Sequence, residues 1–176
     1  LCSLSKSEIQ VGILKKLSGT TLDRHDIEHG MIYSEKAPYE ILANNIIPFN
    51  LMQDMKRFAR FWDLVYNSGN FSKTFALLVE DKSVYETFLE FSKWLYNQTH
   101  STWQISLDRL AFYLFEFITK KQGLEEQRIA DILVKDILKV GGRKLPKFLR
   151  PFSDVVSSRG ENSIEGKSKR QQKHIL

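Results

Sequence analysis

The sequence predicts a mainly α fold, a bundle of about five helices preceded by one strand and an ordered connector. Two observations support this fold class. Apolar residues recur every three or four positions over most of residues 50–140, which is typical of helices with one buried face. Residues 8–14 instead alternate with a period of two, which is typical of a β-strand.

The predicted strand places Ile9, Val11 and Ile13 on one face. Its other face is also fairly apolar, as expected for a strand buried on both sides in a parallel sheet or barrel. A lone strand would leave its backbone groups unpaired, so we expect the rest of its sheet to lie outside these 176 residues. The residue Leu1 in place of Met also indicates a fragment of a larger protein.

Residues 18–40 combine many turn formers with irregular apolar spacing, which predicts an ordered connector and not a helix. The first helix is predicted from Asn50, an expected N-cap with Gln53 three residues later, to Gly69. Its buried face is expected to comprise Leu51, Met55, Phe58, Trp62 and Val65.

Four further helices are predicted between polar caps and glycines. They cover residues 71–80, the stretch from Ser83 to the loop at 99–105, the stretch from Ser106 to Gly123, and residues 125–140. The end of the chain has almost no large apolar residue, which predicts disorder. The expected domains are residues 1–42 (strand and connector), 43–152 (helical domain) and 153–176 (disordered basic tail).

The net charge of +5 is unevenly distributed. Residues 1–138 hold 16 Lys and Arg against 18 Asp and Glu, whereas residues 139–176 hold 10 against 3. No apolar run approaches the ~20 residues that a membrane-spanning helix needs, and no signal peptide is apparent. The single cysteine, Cys2, cannot form an internal disulfide. We therefore expect a cytoplasmic protein without a membrane partner.

One segment matches a zinc signature, since His25-Asp26-Ile27-Glu28-His29 has the His-x-x-Glu-His spacing. On a helix, His25 and His29 would share a face and could bind one zinc ion, with Glu28 as the base. The segment has room for little more than one helical turn, and no further motif supplies a third ligand. We therefore interpret these histidines as part of the connector and assign no metal ligand and no catalytic residue.

Two other groups of residues have simpler interpretations than binding sites. The aromatic residues of the first helix have core spacing, and Lys56, Arg57 and Arg60 are expected on its solvated face. A basic run near the last helix end is favoured there by the helix dipole. It comprises Lys139, Arg143, Lys144, Lys147 and Arg150.

Two stretches of the chain carry a resemblance to a known family. The first, within residues 8–42, comprises Glu8-Ile9-Gln10-Val11-Gly12-Ile13-Leu14-Lys15-Lys16-Leu17, Gly19-Thr20-Thr21-Leu22, Arg24-His25, Gly30-Met31-Ile32-Tyr33-Ser34 and Pro38-Tyr39-Glu40-Ile41-Leu42. The second is residues 57–71. Together they resemble the C-terminal third of bacterial cobalamin-binding-domain radical SAM proteins. The resemblance covers residues 8–150.

The resemblance implies that residues 8–14 are the last strand of a truncated β/α barrel, the radical SAM barrel, and that a helical domain of unknown role follows. It places Leu14 and Leu17 beside the adenine of S-adenosylmethionine. The parent enzyme is expected to use a 4Fe–4S cluster, S-adenosylmethionine and cobalamin, and the rest of the parent chain is the expected partner. The Cys-x-x-x-Cys-x-x-Cys cluster motif is absent here, so no cofactor is expected to bind this chain alone.

Two functions follow from these observations. The first is the C-terminal part of a cobalamin-dependent radical SAM enzyme, whose helical domain caps the barrel and is not catalytic alone. The second is a non-catalytic helical module that binds RNA or an acidic partner through its basic C-terminal end. The substrate of either is not indicated by the sequence.

Overall fold

In a computed structural model, which describes residues 8–153, most residues are helical, as predicted. The helices are α1 (Asp23–His29), α2 (Phe49–Trp62), α3 (Ser72–Leu78), α4 (Val84–Thr99), α5 (Leu107–Lys120) and α6 (Glu126–Leu138). A 3₁₀-helix follows at Lys147–Phe152. Two short strands, β1 (Ile32–Tyr33) and β2 (Ile41–Ala43), lie between α1 and α2.

The five predicted helices correspond to α2–α6, and two of the predicted caps are confirmed. The hydroxyl oxygens of Ser83 and Ser106 accept hydrogen bonds from the backbone N–H groups of Glu86 and Arg109, both at 3.3 Å. The predicted cap at Asn50 is wrong, because α2 already begins at Phe49 with Pro48 as its N-cap. Proline suits this position, since its missing N–H would have no intrahelical partner.

Helix α2 continues into a π-helix at Asp63–Asn67. Such single-turn π-helices are rare and often occur at functional positions. Gly69, with φ of +65°, then ends the helical run in the left-handed conformation, as predicted. The sequence pattern does not distinguish this π turn from ordinary α-helix.

Strand pairing precedes the long helices, but its position differs from the prediction. Residues 8–14 do not form a regular strand. The pairing begins with an antiparallel bridge between Lys15 and Glu40, where the N–H of Ile41 donates to the carbonyl of Leu14 at 2.9 Å. Strands β1 and β2 form a separate antiparallel pair. Within the described residues, the 8–14 segment is not part of a sheet, although its apolar residues alternate as in a strand.

The connector also differs from the prediction, because residues 23–29 form helix α1. Its acidic residues Asp23 and Asp26 lie in the first turn, and His29 lies in the last. Both placements favour a short helix through its dipole. Gly30 ends α1 with φ of +56°, and a Cβ there would lie 2.0 Å from Oδ1 of Asn45. The left-handed φ favours glycine here, and any side chain at this position would also have to displace the Asn45 amide.

The described chain divides into two compact units. The first comprises the residues up to Gly69 together with Phe75–Ile105. In this unit α2 packs against α4, and its core is rich in aromatic rings. Its buried apolar residues are Ile41, Met52, Phe58, Phe61, Trp62, Val65, Phe75, Leu77, Leu78, Phe88, Phe91 and Leu95.

The second unit comprises Asn70–Thr74 and the described residues from Ser106 onward. Helices α5 and α6 pack together there, and the 3₁₀-helix contacts α6. Leu110, Leu114, Ile129, Leu133 and Ile137 are buried in this unit.

The structure does not test three of the predictions, which concern Cys2, the tail and the domain boundaries. Cys2 and the predicted disordered tail after residue 153 lie outside the described residues. The domain boundaries at residues 42 and 152 stay predictions. Among the described residues, no helix combines the length and the apolar character that crossing a bilayer requires.

Candidate functional site

The two residues predicted to lie beside a nucleotide, Leu14 and Leu17, are on the surface. Their side chains are 40% and 59% exposed. They flank Lys16, and the backbone N–H of Lys16 donates to the carbonyl of Tyr39 at 2.9 Å. The backbone around Lys16 is therefore held by hydrogen bonds, whereas the side chains of Leu14 and Leu17 are accessible on the surface.

Lys16 ties this segment to helix α1. Its Nζ lies 2.6 Å from Oδ1 of Asp23 and 2.5 Å from Oδ2 of Asp26. The hydrogen bond to Asp23, followed by that to Asp26, raises the pKa of Lys16. The ring of Tyr33 lies 5.3 Å from the ammonium, and burial raises the pKa of its phenol. No local spacing in the sequence indicates this cluster, because its members are separated along the chain.

Exposed apolar residues are concentrated in the same region. Eight large apolar side chains between residues 11 and 49 are more than a third exposed; we refer to them as the exposed apolar set. They are Val11 (39%), Leu14 (40%), Leu17 (59%), Ile27 (95%), Ile32 (58%), Tyr39 (47%), Ile46 (85%) and Phe49 (52%). Most of the large apolar side chains that are exposed among the described residues therefore belong to this segment.

This segment is well held although its apolar side chains are exposed. The N–H of Asn45 donates to the carbonyl of His29 at 2.9 Å, and its Nδ2 donates to the carbonyl of Glu28 at 3.3 Å. Glu40 forms an ion pair with Lys56 of α2 at 2.8 Å. The segment thus has a defined backbone, which distinguishes it from a loose linker.

Side chains of α2 and its π-helical end bind the backbone of Ile9. Asn67 Nδ2 and Trp62 Nε1 both donate to the Ile9 carbonyl at 3.1 Å. The Ile9 N–H in turn donates to Oδ1 of Asn67 at 3.1 Å. We call these three hydrogen bonds the Ile9 clamp. The π-helix contains Asn67 and therefore contributes two of the three hydrogen bonds of this clamp.

Helix α1 brings together the three residues of the His-x-x-Glu-His motif. Ligand atoms of His25, Glu28 and His29 all lie within 4.8 Å of one another. The two imidazole rings stack, with centroids 5.7 Å apart. Nε2 of His25 accepts a hydrogen bond from Nε of Arg24 at 2.9 Å, so this ring nitrogen presents a lone pair. Helix α1, which the sequence pattern does not predict, creates this cluster.

The basic face predicted for α2 is only partly solvated. The Arg57 guanidinium lies 3.8 Å above the ring of Tyr96, and that of Arg60 lies 4.5 Å from the ring of Trp103. Both arginines are half-buried. Stacking on aromatic rings of the first unit therefore covers much of this face.

The second unit contains an open groove of about 390 Å³. Its walls include the rings of Phe112, Tyr113 and Phe148, and its charged side chains are the cations Arg109 and Lys147 and the carboxylate Asp108. Phe112 is 39% exposed. The combination of flat rings with positive charge suits a stacked anionic ligand such as a nucleotide.

The cofactor set implied by the sequence resemblance does not fit the side chains of this chain alone. A radical SAM cluster needs three cysteine ligands, and the whole sequence contains one cysteine. Any 4Fe–4S cluster would have to be held by residues outside these 176.

Comparison with known proteins identifies one family. A family model described as "Protein of unknown function (DUF4080)" matches residues 27–175. No curated protein and no solved structure matches the chain. The matched region begins within α1 and includes β1, β2 and all the long helices. Leu14, Leu17 and Ile9 precede it. The chain therefore belongs to the DUF4080 family of proteins of unknown function.

Proposed function

We propose that this chain is the C-terminal helical domain of a cobalamin-binding radical SAM enzyme. In this proposal the domain packs against the barrel of the parent enzyme and does not catalyse the reaction by itself. The observation that carries the proposal is the exposed apolar set, of which Val11 and Leu14 belong to the stretch resembling the last strand of that barrel. The barrel is the partner that we propose for this surface.

Three features support this arrangement. The segment that carries the exposed apolar set has a defined backbone, so it can present a fixed surface. The Ile9 clamp joins the start of that segment to the helical part of the first unit. The chain also has too few cysteines for the cluster, which agrees with a domain that contributes shape and leaves the cofactors to the rest of the protein.

Leu14 and Leu17 would lie on the adenine side of S-adenosylmethionine in the parent enzyme. Their exposure leaves their side chains available for this contact. The parent would supply the cluster and cobalamin, and the chemistry expected of it is reductive cleavage of S-adenosylmethionine. The position of the helical domain would determine how substrate reaches the barrel.

The test uses the full reading frame that contains this chain. We expect an upstream Cys-x-x-x-Cys-x-x-Cys motif and, after anaerobic reconstitution and reduction, formation of 5′-deoxyadenosine. Leu14→Glu should lower this activity and increase proteolysis of the helical domain, because a charge would be placed in the apolar contact. Leu138→Glu is the matched control, since Leu138 is also 40% exposed but lies outside the exposed apolar set.

Two results would contradict the proposal. One is a start codon directly before Leu1. The other is equal activity and equal protease resistance in the Leu14→Glu and Leu138→Glu enzymes, since the exposed apolar set would then have no special role.

The groove of the second unit favours a second candidate function, binding of single-stranded RNA. Its aromatic walls could stack bases, and the neighbouring basic run could bind phosphates. Lys147→Glu should weaken RNA binding and reduce its salt dependence, whereas Lys121→Glu, an exposed control on the α5 end, should change it little. Fluorescence anisotropy at several salt concentrations measures both, and equal effects of the two substitutions would argue against this function.

A further inference from the structure

The three side chains of the His-x-x-Glu-His motif form a cluster that the proposed function does not use. His25, Glu28 and His29 occupy positions i, i+3 and i+4 of helix α1, so they share one face. Their ligand atoms lie within 4.8 Å of one another. The sequence pattern allows little more than one helical turn here, and no further motif supplies a third ligand. Helix α1 spans seven residues, which removes the first objection, and Glu28 is the third candidate ligand.

The chemistry of the cluster matches the preferences of zinc. Two imidazole nitrogens and one carboxylate oxygen are common zinc ligands, at about 2.0–2.2 Å from the metal. Tetrahedral binding at these lengths requires ligand atoms about 3.3 Å apart. The atoms must therefore approach by about 1.5 Å from the 4.8 Å limit, a movement within the range of side-chain rotation. The side chains of Glu28 and His29 are 71% and 49% exposed, so solvent and not protein surrounds much of both.

The backbone of this turn is fixed from two sides. Lys16 holds the first turn of α1 through Asp23 and Asp26. Asn45 holds the last turn through the carbonyls of Glu28 and His29. A fixed backbone lowers the entropy cost of bringing the three ligands together.

We propose that His25, Glu28 and His29 form a binding site for a zinc-class divalent cation, with water at the remaining coordination position. Glu28 serves as a ligand in this geometry and is therefore not available as a general base. We assign the site a binding role and not a hydrolytic one. Binding through Nε2 of His25 displaces Arg24, whereas binding through Nδ1 leaves that hydrogen bond in place.

The test measures binding of Zn²⁺ to the full 176-residue chain, without an affinity tag, by isothermal titration calorimetry. Co²⁺ serves as a second probe, because its visible absorption reports tetrahedral coordination. We expect one ion per chain. His25→Ala and His29→Ala should each weaken binding by on the order of tenfold or more, since each removes one of three ligands.

His100→Ala is the matched control, because His100 is an exposed histidine at the end of α4 and lies outside the cluster. It should bind Zn²⁺ as the unmodified chain does. Circular dichroism of each variant confirms that the helices remain folded. The proposal is overturned if the unmodified chain does not bind Zn²⁺, or if the His25→Ala/His29→Ala double variant binds it with unchanged affinity.

Discussion

The side chain of Asp136 caps the N-terminus of helix α3, which is distant from it in sequence. It is fully buried in α6, and its carboxylate accepts hydrogen bonds at the N-terminus of α3. The donors are the N–H groups of Lys73 and Thr74, at 3.0 and 2.8 Å, and the hydroxyl of Thr74 at 2.9 Å. Lys139 contributes a positive charge at 3.5 Å. The carboxylate thus performs the role of an N-cap residue, and its burial is offset by these partners.

Asp136→Ala should therefore be strongly destabilising. It removes a charged acceptor and leaves buried donors of α3 without a partner, which we expect to lower the free energy of unfolding by about 2–4 kcal/mol. Urea unfolding followed by circular dichroism measures this change. Asp131→Ala, an exposed position on the same helix, should stay within about 0.5 kcal/mol of the unmodified protein. A similar small effect for Asp136→Ala would contradict the capping role.

Lys16 provides a pH-dependent prediction at the same scale. The carboxylates of Asp23 and Asp26 raise its pKa in the folded protein. The folded state therefore holds the Lys16 proton more tightly than the unfolded state does. This stabilisation is fully present below the unfolded pKa of about 10.4, and it is lost as the pH rises above that value.

Lys16→Met should accordingly lower the melting temperature at pH 8, and the difference from the unmodified protein should shrink at pH 11. Lys15→Met is the matched control, because Lys15 is the exposed neighbour of Lys16 in the chain. Thermal unfolding at the two pH values checks the prediction. A difference for Lys16→Met that is the same at both values would show that its ion pairs do not stabilise the fold.

At the scale of elements, the helices α2–α6 could be predicted because their apolar spacing, caps and glycines agree. Ser83, Ser106 and Gly69 all act as their residue types indicated. Helix α1 was missed, since its stability comes from Lys16 and Asn45 and not from a buried apolar face. The predicted strand was misplaced because its period-two pattern needs a sheet that the described residues do not contain. The π-helix has no local sequence signal.

The Ile9 clamp gives a prediction for the junction between the first segment and the helices. Asn67→Ala removes two of its three hydrogen bonds, each with a net contribution of about 0.5–1.5 kcal/mol. The Ile9 amide should then exchange with solvent at least about tenfold faster. Hydrogen exchange measured by NMR tests this.

Asn97→Ala, an exposed substitution on α4, is the control and should leave exchange at Ile9 unchanged. If Asn67→Ala also leaves the Ile9 amide protected, the clamp does not fix the backbone at Ile9.

At the scale of the whole molecule, the candidate sites lie where elements meet, which explains why the sequence indicated them incompletely. The Lys16 cluster joins the first segment to α1, and the groove joins α5 to the 3₁₀-helix. Their members are far apart along the chain, so no spacing reveals them. The His-x-x-Glu-His motif is the opposite case, since its residues are adjacent in sequence and only the local helix was unexpected.

The Ile9 clamp also has a consequence for variation of the sequence. All three of its hydrogen bonds involve the main chain of residue 9 and none involves its side chain. Almost any residue except proline can therefore occupy this position without loss of the clamp, because only proline lacks the N–H. Asn67 has no such freedom, since it must donate and accept at once. We therefore expect many substitutions to be tolerated at position 9 and few at position 67.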